Sequence, residues 1–125
     1  MCQHYHIDYD DRIIPGIATG FAGGFGNTGA VCGAVVGGVM GLGLEMDWGD
    51  TMEETLGALA VVAGFRRRFE AEMGSVLCAE LTGADLTTPE GIQAYMASDR
   101  PQTVCFPAVA TAYRLVTEVL DDRGP

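Results

Sequence analysis

The chain has no lysine: all seven of its basic residues are arginine, against 17 aspartates and glutamates, for a net charge of −10. A field of that sign repels phosphate backbones and anionic membrane surfaces, so no nucleic-acid partner is expected, and a P-loop is excluded for want of its lysine. The clustered Arg66, Arg67 and Arg68 read as a solvated helix face. A lysine-free acidic surface fits a salt-rich cytoplasm and high-GC coding equally well. Serine is scarce as well: only Ser75 and Ser98 are present, both where helix ends are expected, which leaves no basis for a serine–histidine triad. The histidines, His4 and His6, form an H-x-H pair that in a strand would share one face as metal ligands. Near a terminus they read as solvated. There is no CxxC, so any metal site must be assembled by the fold, and no CxxCH for covalent c-type haem. The four cysteines, Cys2, Cys32, Cys78 and Cys105, are too few and too widely spaced for a secreted disulfide scaffold, and no signal peptide is visible. A cytoplasmic setting is the expectation.

Charge is also missing from Ile13 to Leu44, where glycines recur at GxxxG spacing. Pro15 and the run Gly23 to Gly29 split that stretch, and what remains falls short of the ~20 apolar residues a membrane span needs. A close-packed buried helix is expected instead of membrane insertion.

What is present is apolar: 48% of the 125 residues are hydrophobic, enough to bury a core in one domain, 1–125. No stretch alternates convincingly at period two, and the spacing predicts an all-α bundle of five or six helices. The first runs from Arg12 to about Phe21, with Pro15 in its first turn. A turn-rich loop follows, with Asn27 or Thr28 as cap for a glycine-rich helix over about Ala30 to Glu45. Asp50 with Glu53, or Thr51 with Glu54, forms a capping box for a main core helix over 51–73, ended by Gly74. Its apolar stripe is Met52, Leu56, Leu59, Val62, Ala63, Phe65, Phe69 and Met73. Ser75 caps a short segment over 76–81, Thr88-Pro89 opens another short helix, and Pro107 begins the last.

The glycine-rich helix is central. Glycines at 33, 37, 38, 41 and 43 cost on the order of 5 kcal/mol relative to alanine. Close packing against a helix, a second subunit or a flat cofactor has to offset that penalty, and Gly33 and Gly37 are the positions where a ring would lie. Cys32, Cys78 and Cys105 each fall at the start of a helix, where the positive end of the dipole favours a thiolate. Unpaired cysteine is often merely buried, so position alone does not decide their role. The run Gly24-Phe25-Gly26-Asn27-Thr28-Gly29 fits GxGxxG, with Glu45 near the spacing of a dinucleotide fingerprint. That reading needs flanking strands, which the pattern does not supply.

Cys32-Gly33-Ala34-Val35-Val36-Gly37 spells CGAxxG. With the Ile7-Asp8 segment, the helix end Ala18 to Phe21, the loop Gly23 to Gly26, Cys78-Ala79-Glu80-Leu81 and Cys105, the chain resembles the redox-active family named for its C-GCAxxG-C-C pattern. The likeness spans Ile7 to Leu120 and extends to a domain of split-Soret cytochromes. It implies that Cys32, Cys78 and Cys105 are the family's second to fourth cysteines, acting catalytically or as metal ligands. The family's first cysteine lies on an N-terminal helix that this sequence is expected to lack, with Cys2 alone near that position. Members are often encoded near transporter genes, which implies a transporter or electron-transfer partner. Three chemistries stay open: an iron–sulfur cluster or other thiolate-bound metal, a dithiol/disulfide pair, and, behind these, a noncovalent haem. The favoured reading is a small dimeric redox protein. The alternatives are a noncatalytic assembly domain packed through the glycine ridge and, last, dinucleotide binding.

Overall fold

A computed structural model describes residues 12–123, and their architecture is all-α. Helix α1, Ile13–Ala18, tightens into a 3₁₀ turn over Thr19–Phe21 and runs into a four-residue helical turn, α2, Ala22–Phe25. The glycine-rich helix α3 spans Gly33–Glu45, α4 Met52–Met73, α5 Cys78–Thr82, α6 Pro89–Ala97 and α7 Phe106–Arg123. The predicted acidic start of the first helix, Asp10 and Asp11, and the residues Cys2, His4 and His6 lie outside the described residues.

The core is a three-helix wedge. Helix α7 packs most extensively on α3 and then on α4, and Leu42, Phe65, Phe69, Leu115 and Val116 are fully buried between them. Its rim is held by exposed ion pairs of Arg68 with Glu118, Arg114 with Glu72, and Arg114 with Glu118 at 3.0 Å. Such pairs add little stability singly; the first two link α4 to α7, and the third lies within α7. The run 101–123 is long and apolar enough to cross a membrane by length and composition. Here its Ala108, Ala112, Leu115 and Val116 form part of the core.

Several local expectations are corrected. Helix α3 begins at Gly33 rather than near Ala30, because Val31 pairs with Leu77 in an isolated antiparallel bridge. Cys32 is its N-cap residue, while Thr28 turns back to donate to the carbonyls of Gly24, at 2.7 Å, and Phe25. The predicted stripe of α4 is buried only in part: Ala58, Phe65 and Phe69 enter the core, but Met52, Leu56 and Leu59 are exposed. The predicted Ser75 cap does not form: α5 starts at Cys78 with Leu77 as its N-cap residue, and Ser75 Oγ accepts from Leu77 N–H ahead of the helix, whereas the caps of α4 and α6 form as the sequence predicts. Glu54 N–H donates to Thr51 Oγ1 at 3.1 Å in the second of the two capping boxes, Gly74 closes α4 at φ +92°, and Thr88 Oγ1 accepts from Gly91 N–H.

The last helix also starts earlier than Pro107. A π-turn over Pro101–Cys105 leads into α7, and Phe106 N–H donates to the Pro101 carbonyl. Pro107 has no N–H, and its ring crowds the carbonyl four residues back, so the ladder widens ahead of it.

Candidate functional site

The site begins with the glycine loop. Gly23, Gly24, Gly26 and Gly29 all have positive φ, as do Phe25 and Asn27, and the loop closes through Gly29 N–H to Gly23 O and Ala30 N–H to Gly24 O. Gly24 is buried, and a Cβ there would stand 2.5 Å from Ala30 N and 2.9 Å from Cys78 Cβ. Only hydrogen fits between the loop and Cys78. Past the loop, Cys32 N–H donates to Val76 O at 2.7 Å and Cys78 N–H to Ala30 O at 2.8 Å, on either side of the Val31–Leu77 bridge. Side-chain alternation therefore sends Cys32 and Cys78 to the same side of this ladder.

Cys105 arrives from the far end of the chain on the π-turn, which packs against α5. The three thiols are near enough to sense each other. Burial raises Cys78 above the usual thiol range, charge on Cys32 and then on Cys105 raises it further, and a Thr82 hydrogen bond opposes these effects. The dipole argument for a stabilised thiolate thus fails at Cys78, since a five-residue helix has little dipole to set against burial. It fails in another way for Cys105, which lies inside a continuous helical run rather than at its start.

One residue of this cluster was not visible in the sequence. The Tyr95 hydroxyl lies 2.8 Å from Cys105 Sγ. Burial raises the Tyr95 phenol well above its ordinary value, followed by the hydrogen bond to Cys105 and by charge on Cys105, Cys78 and Cys32. No local spacing links residues 95 and 105. The link is made where Ser98 Oγ donates to Tyr95 O at 2.6 Å and accepts from Arg100 N–H, turning the chain back.

Gly33 directly follows Cys32, and Gly37 lies one turn further along α3. Both line an apolar cavity of about 430 Å³ beside α1, and both line a second of about 270 Å³ beside Val109, Ala112 and Tyr113 of α7. A Cβ at Gly33 would stand 3.3 Å from the Phe21 carbonyl, whereas Gly37 meets nothing within 4 Å. Gly37 is thus the open position of the ridge. Among the described residues no three of His, Cys, Asp and Glu are gathered so as to hold a metal ion. The GxGxxG loop has no strand before it among the described residues, and its Gly29 N–H and the following Ala30 N–H, donors that a phosphate would need, are used in closing the loop itself. The dinucleotide reading loses its scaffold.

An all-helical fold that carries three distant thiols and a phenol into mutual electrostatic reach defines a cysteine-centred protein. The chain belongs to the family described as "Putative redox-active protein (C_GCAxxG_C_C)", which matches residues 1–119. No curated protein and no solved structure matches the chain.

Proposed function

We propose that this protein is a thiol–disulfide redox protein in which the half-exposed Cys32 and Cys105 meet an external disulfide and the buried Cys78 resolves the product. The observation that carries this reading is the Val31–Leu77 bridge, which sends Cys32 and Cys78 to one side of the ladder while the turn bearing Cys105 packs on α5, and charge on Cys32 and Cys105 opposes ionisation of Cys78. In the first step an exposed thiolate attacks a disulfide R–S–S–R, forming a mixed disulfide and releasing R–S⁻. Cys78 then gives up its proton and attacks the protein sulfur of that mixed disulfide, and the second R–S⁻ leaves. Two electrons and two protons pass from the protein to two R–SH. A raised thiol value suits a resolving cysteine, because it stays protonated and unreactive until the mixed disulfide forms beside it.

The test is anaerobic equilibration with graded mixtures of oxidised and reduced glutathione, followed by peptide mapping. The expected product is one internal disulfide containing Cys78, reversible with the glutathione ratio. Mixed disulfides that never resolve, or three thiols that never react, would sink the reading.

A second reading, assembly of two copies through the glycine ridge, is favoured by Gly37, which is exposed between two apolar cavities with Val109 and Tyr113 exposed nearby. Sedimentation of the wild type and Gly37→Leu tests it. A dimer lost in the variant supports it, and a wild-type monomer at high concentration rules it out.

A further inference from the structure

We infer that Tyr95 is a positioning residue that singles out Cys105, rather than Cys32, as the thiol that attacks the external disulfide. This assignment rests on the exchange reading above and adds to it a residue outside the cysteine pattern. The phenol oxygen and Cys105 Sγ are within hydrogen-bond distance at 2.8 Å, and among the described residues no hydrogen bond seen at Cys32 or Cys78 gives either sulfur a phenol. Tyr95 is itself half-buried and comes from a different helix than Cys105, so the pair is set by the fold rather than by neighbouring residues.

Either atom of such a pair can donate, but chemistry fixes the direction once charge develops. In thiol–disulfide exchange the charge develops on sulfur, so at that step the sulfur accepts and the O–H donates to it. Burial of Tyr95 pushes in the same direction, keeping the phenol neutral. The Cys105 proton leaves to solvent. The thiolate, held by the Tyr95 O–H, then attacks one sulfur of R–S–S–R, forming the new S–S bond while the old one breaks and R–S⁻ takes a proton from water. Tyr95 keeps its own proton throughout. Charge-assisted hydrogen bonds are the strong ones, but a stabilised thiolate is also a weaker nucleophile, so the net gain in rate is about three- to tenfold.

The experiment uses the full chain with Cys78→Ser, so that the first mixed disulfide is trapped, and Cys78→Ala as a second background should the serine variant fold poorly. Reaction with oxidised glutathione at fixed pH is quenched over time, and mass mapping gives separate rates at Cys105 and Cys32. Cys105 is expected to react first, and Tyr95→Phe to slow Cys105 about three- to tenfold with Cys32 unchanged. A purely structural role for the phenol predicts the opposite sign, since a loosened fold exposes both thiols and speeds both. Reaction at both cysteines with an unchanged or increased rate at Cys105 in Tyr95→Phe overturns the assignment alone. No internal disulfide in the chain that retains Cys78 overturns the exchange reading, and this assignment with it.

Discussion

Gly38 of α3 lies directly beneath the ring of Phe65 of α4: a Cβ at Gly38 would stand 2.4 Å from Phe65 Cζ and 2.9 Å from Cε1. Phe65 is fully buried and has nowhere to swing. Gly38→Ala is therefore expected to destabilise the fold by about 1–2.5 kcal/mol, since overpacking this close falls in the upper part of its usual range, roughly 2–3 kcal/mol, and the helix gain of alanine returns roughly 0.5–1. Urea denaturation gives the number directly. An unchanged or higher midpoint would mean that the two helices do not approach as described.

Gly37, one residue earlier, carries the opposite expectation. It is exposed and nothing lies within 4 Å of its added Cβ. Gly37→Ala should stabilise a dilute monomer by about 0.5–1 kcal/mol, mainly by restricting the unfolded chain. Loss of stability there would reveal a partner on the ridge.

These two glycines show what the sequence made legible and what it did not. The demand for close packing followed from the glycine penalty alone, and Gly38 meets it against Phe65. Which glycine faces the partner helix and which faces open space depends on the rotation of α3, and a helix apolar nearly all round carries no periodic signal for that. The same limit hid the exposure of Met52, Leu56 and Leu59: Ala58, between the two leucines, is buried, so the packed face of α4 is rotated away from theirs. The caps were readable because Thr51, Gly74 and Thr88 act within a few residues of themselves. Cys32, Cys78 and Cys105 were readable as candidates from the family pattern, but the bridge, the π-turn and Tyr95 depend on contacts between distant segments.

Gly24 links the loop to the thiols. Its φ is +71°, and an added Cβ would collide with the backbone of Ala30 as well as with Cys78 Cβ. Gly24→Ala should cost about 2–5 kcal/mol, from roughly 1–2 for the left-handed conformation and roughly 1–3 for the collision. Because the collision includes Cys78, the variant should also expose that thiol, so alkylation of Cys78 under native conditions should accelerate more than loss of stability alone accounts for. Equal rates after correction for global unfolding would show that the loop does not cover Cys78.

The buried thiol also sets a pH dependence whose sign is fixed. Burial, with charge on Cys32 and Cys105, keeps Cys78 protonated in the fold above its ordinary range. In the unfolded chain the same thiol ionises near pH 8.5. Above that point the folded state binds more protons than the unfolded state, so stability falls as pH rises. Tyr95, also raised, adds a loss of the same sign from about pH 10. The free energy of unfolding should accordingly be level between about pH 7 and 8 and decline above about pH 8.5. Cys78→Ala should flatten the first part of that decline, and Tyr95→Phe the part above about pH 10. The comparison is made on fully reduced protein, because an internal disulfide would remove the titrating thiol. If the slope between about pH 8.5 and 10 is the same with and without the Cys78 thiol, burial at α5 is not its source.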